Sequence, residues 1–336
     1  MTENDRTEFD QIDRIVARLG DAAARDILVP SGDDAAVWAS DGPTVATIDA
    51  LVEGTHWRAD TMSLADVGWR AIAASASDIA AMGATPRYAL VAATINPSMD
   101  SESIDGLIDG LAASCRQHGV EIAGGDIVSG NEAAVTVTML GVASIEGGSG
   151  APRLLRRDGA RTGDAIAVSG HPGASGAGLA LIDAGRGDES EAKPLTDAHR
   201  HPLGRVALGL AATAAGLGCA IDISDGLLQD LGHIAHKSDV GLEIDLEALP
   251  LHAAGVELLG RERALDLALG GGEDFELVIV GDGNVLASLS TSDLPVTVIG
   301  RVVDAHRGEA WALTGVGDRY EPPSAGWDQL RSDGPS

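Results

Sequence analysis

The sequence predicts an α+β protein of two domains. Its 336 residues are more than twice the roughly 150 of an ordinary domain. Period-2 and period-3.6 apolar segments alternate irregularly along both halves. No GxGxxG turn of the kind that opens a doubly wound dinucleotide-binding sheet is present. A Gly- and Arg-rich stretch from Glu146 to Asp164 reads as a boundary. It divides the chain near residue 148, into an N-terminal domain over 1–148 and a C-terminal domain over 149–330.

Phe9, Ile12, Ile15, Val16 and Leu19 recur at helical spacing before Gly20, which predicts an amphipathic helix with a glycine stop. Thr44 to Asp49 alternates as a strand, with Val45, Thr47 and Asp49 on one face and Ala46 and Ile48 on the other; Asp49 is expected at its end. Ser63-Leu-Ala-Asp66 resembles a capping box with Asp in place of Glu. It opens a helix toward Gly83 whose apolar stripe is Trp69, Ile72, Ala76 and Ile79. A second helix is predicted over 101–119 and a strand over 132–140. In the second half, strands are predicted over 164–168, 219–224, 275–280 and 296–300, and helices over 173–184, 203–216, 227–237 and 261–268. Gly185 to Asp197, rich in charge, reads as a solvated acidic loop, and 331–336 as a frayed tail.

Composition excludes several function classes. Lys+Arg number 23 against 51 Asp+Glu, for a net charge of −28, so neither nucleic acid nor an anionic membrane surface is an expected partner. Five Trp, two Tyr and two Phe are too few for base-stacking platforms. Cys115 and Cys219 have no metal-ligand or redox spacing. The acidic start lacks a basic and then apolar leader, and a cytoplasmic location is expected. The acid excess survives removal of every acidic residue assigned to chemistry below, which predicts activity in concentrated salt, where screening relieves self-repulsion.

Five acidic clusters fall, as the sequence reads, at turns or element ends: Gly32-Asp33-Asp34, Thr47-Ile48-Asp49, Ser77-Asp78, Gly124-Gly125-Asp126 and Asp222-Ile223-Ser224-Asp225-Gly226. Carboxylates so placed suit Mg²⁺, a hard cation that takes oxygen ligands and bridges substrate phosphates. Taken singly, Asp225 also reads as a helix N-cap, Asp33-Asp34 as an ordinary turn, and Asp78 as a buried carboxylate with a structural hydrogen bond. Gly270-Gly-Gly-Glu273-Asp274 lets backbone approach a ligand, or is a flexible turn. His56, in Glu53-Gly-Thr-His-Trp57, is a candidate anion contact or a packing residue. Arg157 is a candidate phosphate fork or part of a solvated loop. Neither Lys193 nor Lys237 lies in GxxxxGK[ST], and the protein-kinase motif set is absent, so P-loop and protein-kinase chemistry are excluded.

The ordered set GDDAAVW, TIDALVEGTHW, ASDIAAMGATP, GGDIVSG, AIDISDGLLQDLGHI and GGGEDFELV, with Gly326-Trp327 near the C-terminus, resembles the thiamine-monophosphate kinase family. That family belongs to a superfamily with aminoimidazole ribonucleotide synthetase and selenophosphate synthetase. The resemblance implies ATP-dependent phosphorylation of thiamine monophosphate to thiamine diphosphate, the last step of thiamine diphosphate biosynthesis. Transfer would be direct and in line, on several Mg²⁺ ions, with no phosphoenzyme. By motif position, Asp34, Thr47, Asp49, Asp78, Asp126, Asp222 and Asp225 would hold metal. Gly125, Asp126, Arg157 and Ser224 would meet ATP, while His56, Glu273 and Trp327 would contact thiamine phosphate; Asp78, Asp126 and Asp225 are the implied catalytic carboxylates. The implied fold pairs a mixed-sheet N-terminal domain in a homodimer, with an α/β C-terminal domain completing the active-site cleft. Three motifs depart from the family pattern: Ile48 replaces a hydroxyl residue, Ser75 an Asn, and Ile127-Val128 a Thr pair. Two alternatives stay open on the residues alone, another ATP-dependent synthetase of the superfamily and a non-catalytic nucleotide or divalent-cation binder.

Overall fold

The computed structural model describes residues 27–29, 37–147, 150–324, 326 and 327. The expected helix around Phe9–Leu19, and with it Asp33 and the metal candidate Asp34, lie outside the described residues. The chain splits into two compact units, one of Met1–Ile79 with Thr85–Pro152 and one of Ala80–Ala84 with Arg153–Ser336.

In the first unit, β1 (Ile27–Val29) and β2 (Val37–Trp38) form a short antiparallel pair. They precede β3 (Thr44–Val52), α1 (Leu64–Ala81), β4 (Thr85–Ile95), α2 (Ser101–His118), β5 (Glu121–Ser129) and β6 (Ala134–Val142). The sheet runs β3-β6-β4-β5 and is mixed, because β4 and β5 are parallel and the other pairs antiparallel. One face is buried through Val135, Val137, Met139, Ala89 and Val91. The opposite face is open: Ile48 is 65% and Val128 50% exposed, on rows that the strand register aligns.

Helix α1 begins as its sequence predicts. The Ser63 N–H donates to Asp66 Oδ2 (2.9 Å) and the Asp66 N–H to Ser63 Oγ (3.2 Å), a reciprocal cap worth about 1 kcal/mol. Helix α2 starts at Asp100, whose carboxylate accepts from the Ser103 N–H, and ends at left-handed Gly119. The two helices approach through glycines, since a Cβ on Gly110 would lie 2.0 Å from the Ala65 carbonyl oxygen.

The second unit holds β7 (Ala165–Ser169), α3 (Ala174–Asp183), α4 (Lys193–Arg200), α5 (Val206–Ala214), β8 (Cys219–Asp222), α6 (Leu227–Ser238) and β9 (Gly241–Asp245). It continues with α7 (Ala253–Leu259), α8 (Arg261–Gly270), β10 (Leu277–Gly281), α9 (Gly283–Ser288), β11 (Val296–Val303), β12 (Ala310–Leu313) and β13 (Arg319–Tyr320). Its seven-stranded sheet runs β13-β12-β9-β11-β7-β10-β8, antiparallel except between β12 and β9. Alternation along β10 feeds two cores. Val278 and Val280 pack with Leu227, Leu231 and Ile234 of α6, while Leu277 and Ile279 pack with Leu208 and Ala212 of α5.

Four local expectations are corrected. Asp49 does not end its strand, which continues to Val52. Gly124-Gly125-Asp126 is no turn but the middle of β5, where pairing to β4 overrides the low strand propensity of glycine. The acidic loop expected over 185–197 holds only to 192, where α4 takes over, with Pro194 in its first turn and Leu195 buried against Ala177 and Leu181. The strand expected from Phe275 begins at Leu277, because Glu273 and Phe275 hold left-handed φ values of 63° and 53°. Among the described residues no helix is long and apolar enough to cross a membrane.

Candidate active site

In the first unit, packing of α1 on β3 gathers Thr47, Asp49, Ser75 and Asp78. The Thr47 hydroxyl donates to Asp78 Oδ2. Ser75 Oγ donates to Asp49 Oδ2 (3.1 Å). Two carboxylates thus stand close together, each accepting from a hydroxyl on the facing element. Burial, and then the Asp78 carboxylate, push the Asp49 carboxyl from its ordinary 3.8 up to about 6. Folded protein therefore holds this proton more tightly than unfolded protein does, so the Asp49 contribution to stability is lost as pH rises through that window. In chelator, it is expected to fall by on the order of 3 kcal/mol between about pH 4 and pH 6. Denaturant unfolding of the native and Asp49→Asn proteins across this range measures the effect; equal pH slopes would contradict it.

The other candidates of this unit lie apart from that cluster. Asp126 aligns across the sheet with Ala92, Thr136 and Ala50, three strand spacings or on the order of 14 Å from β3. It is exposed and shares the open face with Val128, whereas Asp49 points to the helix-covered face. Gly125 admits no side chain, because a Cβ there would lie 2.2 Å from the Val91 carbonyl oxygen. His56 sits in the tight turn after β3 and accepts from the Val52 N–H at Nδ1 (3.1 Å). Its neutral ring then carries the proton on Nε2, as a donor. The side chain of Ile48, at the position of the missing hydroxyl, points to the open face.

In the second unit, the segment after β8 and the glycine-rich segment after α8 are laced together by backbone. The Glu273 N–H donates to the Ser224 carbonyl (2.7 Å), the Phe275 N–H to Ile223 (2.9 Å) and the Ile223 N–H to Glu276 (2.8 Å). Gly272 is required for this approach, since a Cβ would meet the Ser224 oxygen at 2.4 Å. Asp222 ends β8 and is buried opposite Leu277. Trp327 joins the same place through its N–H, which donates to the Asp225 carbonyl (2.9 Å). Asp222, Ser224, Asp225, Glu273 and Trp327 are therefore brought together. Arg157, exposed, lies by the end of α6, where its carbonyl accepts from Ser238 Oγ (2.9 Å), and its charge adds to burial in lowering the pKa of His233.

Several supporting residues escaped the sequence reading. Asp225 is not the N-cap of α6; Gly226 holds that position without a side-chain bond. The capping work falls to Asp230, whose Oδ2 accepts the N–H groups of Ser224 (3.0 Å), Asp225 (3.2 Å) and Gly226 (3.1 Å). Those three amides are thereby spent, and the loop offers its side chains to a ligand. Burial, and then Asp222 and Asp225, push the Asp230 carboxyl up to about 8. Asp225, Asp230 and His233 present donor atoms within 4.8 Å of one another. Asp274 points away from the loop to cap α3, accepting from Gly173 N–H (2.6 Å) and Ser175 N–H (3.0 Å). Glu276 is buried and accepts from Arg205 Nε (2.7 Å), with second bonds from Arg205 and Ser169. The signal for Asp230 was its spacing, six, five and four residues beyond the amides that it collects.

Comparison with known proteins places this arrangement. Residues 32–143 match the N-terminal domain, and 161–312 the C-terminal domain, of the AIR synthase related protein family. The chain is 39% identical over 315 residues to the thiamine-monophosphate kinase of Mycobacterium tuberculosis (strain H37Rv), covering 90% of this chain and 89% of that one. The crystal structure of thiamine-monophosphate kinase from Stenotrophomonas maltophilia K279a superposes with a TM-score of 0.80 at 36% identity, over 94% of this chain and 98% of that one. A solved structure named AaThiL complexed with AMPPCP and TMP superposes with a TM-score of 0.74 at 29% identity, over 95% and 96% of the two chains. With both domain models matched in order and such relatives aligned over nearly their whole length, the chain belongs to the AIR synthase related protein family and, within it, to the thiamine-monophosphate kinases.

Proposed function

We propose that this protein is a thiamine-monophosphate kinase that moves the γ-phosphoryl group of ATP directly onto the phosphate of thiamine monophosphate. A phosphate oxygen of thiamine monophosphate attacks the γ-phosphorus, the bond to the β-phosphate bridging oxygen breaks, and thiamine diphosphate and ADP result. The observation that carries the reading is the pairing of Asp49 and Asp78 in a chain with only two lysines. Such a site is built for cations, and a polyphosphate substrate brings the opposite charge.

The donors fit Mg²⁺: hard oxygens of Thr47, Asp49 and Asp78 stand together, and the raised Asp49 carboxyl marks a crowding that a divalent ion relieves. Asp126, Asp222 and Asp225 supply further carboxylates, as Asp34 would by motif position. Bound there, Mg²⁺ would offset phosphate charge and hold the reacting oxygens in line. Gly125, exposed in β5, and Asp126, Arg157 and Ser224 are assigned to ATP. His56 presents its Nε2 proton to an anion, Glu273 and Trp327 take the thiamine side, and the Trp327 indole stacks on a ring. Asp78, Asp126 and Asp225 carry the catalytic assignment.

The test is incubation of purified protein with ATP, Mg²⁺ and thiamine monophosphate at low and at molar KCl, with chromatography for thiamine diphosphate. Product is expected, with a higher rate at molar KCl if the acidic surface is an adaptation to salt. ATP binding without thiamine diphosphate would reject the reading, and full activity in dilute buffer would reject the salt dependence. The same preparation is expected to run as a homodimer, paired through the open sheet face that carries Ile48 and Val128; a monomer would contradict that pairing.

A further inference from the structure

We propose that Gln229 is a positioning residue for thiamine monophosphate, acting through the backbone of Trp327; this rests on the assignment of Trp327 as a substrate contact. Gln229 is the third residue of α6, and its Nε2–H donates to the Trp327 carbonyl (2.6 Å). The Trp327 N–H donates in turn to the Asp225 carbonyl (2.9 Å). Both backbone polar groups of one residue are thus bonded to the same short turn-and-helix segment. That fixes the peptide planes on either side of the Trp327 Cα, and with them the direction in which the indole leaves the chain.

Two further observations support a built contact. Gly326 passes flush over the Gln229 side chain: a Cβ there would lie 2.4 Å from Gln229 Oε1 and 2.6 Å from Gln229 Cβ. Glycine at 326 is what lets the C-terminal segment reach the amide. The turn beneath is itself held, because Asp230 gathers its three successive amides. Trp327 remains 37% exposed, so hydrogen bonds to this platform contribute where packing is incomplete.

The role has a kinetic signature. A clamp that orders the segment before substrate arrives lowers the cost of binding without touching the reacting phosphates. Gln229→Leu keeps the approximate shape and removes the donor, whereas Gln229→Lys retains an N–H donor. Gln229→Leu is expected to raise KM for thiamine monophosphate about three- to tenfold, with kcat, KM for ATP and the unfolding midpoint unchanged. Gln229→Lys restores most of the loss. In a Trp327→Ala background, Gln229→Leu adds nothing further, since the clamp then has no indole to aim. If Trp327→Ala raises KM but Gln229→Leu does not, the clamp is overturned and Trp327 stands as a contact. If Trp327→Ala leaves KM unchanged, both assignments fall. Additive effects in the double variant would overturn action through Trp327.

Discussion

Replacing Asp126 by Asn is expected to lower kcat for thiamine diphosphate formation on the order of 10²–10³-fold, the scale of one lost charge-stabilising contact in a transition state, while the unfolding midpoint stays where it was. The two halves of this expectation come from different observations. Asp126 is exposed in the middle of β5, and a same-size neutral side chain at an exposed position removes no packing. Its neighbour Gly125 is exposed as well, so this stretch of strand is open to a ligand. The charge at 126 thus has work to do for a ligand rather than for the fold. Steady-state kinetics and thermal unfolding on one preparation check both halves. Near-normal turnover would reject the assignment, and a lowered midpoint would show that the carboxylate serves the sheet.

Glu276→Ala is expected to produce the largest loss of stability, about 3 kcal/mol. The carboxylate is 7% exposed and its Arg205 partner 22%, so truncation strands a cation in poorly hydrated surroundings. It also deprives the fully buried Ser169 hydroxyl of its acceptor. The carboxylate in turn requires glycine at 170, where a Cβ would lie 2.0 Å from Glu276 Oε1. Because the Glu276 carbonyl accepts the Ile223 N–H, the damage is expected to reach the loop carrying Ser224 and Asp225, lowering activity as well. Urea unfolding measures the first effect; a change below about 0.5 kcal/mol, the range of ordinary surface substitutions, would contradict the account of this ion pair.

What the sequence makes legible is what local chemistry determines. Alternation in Thr44–Asp49 orients Thr47 and Asp49 correctly, and the Ser63/Asp66 cap and Gly119 stop appear where their residue types require. The second-unit site is legible because Asp222, Ser224 and Asp225 lie in one continuous strand-turn-helix segment. Tertiary closure is not legible. Asp126 reads as a turn because two glycines precede it, and only pairing with β4 makes it a strand residue. The company of Asp49 with Ser75 depends on α1 folding back onto β3. Gln229 and Asp230 look like exposed polar helix residues until the loop and the C-terminal segment arrive to use them. Helix α4 was hidden by surrounding charge, although Leu195 and His199, four residues apart, share its buried side.

The most direct measurement follows the γ-phosphorus of ATP through the assay. With ATP labelled at that phosphorus and thiamine monophosphate present, the label is expected in the terminal phosphate of thiamine diphosphate, one for each ADP formed, with none on acid-quenched protein. Label retained on the protein, or ADP formed without labelled thiamine diphosphate, would contradict direct transfer between the two phosphates.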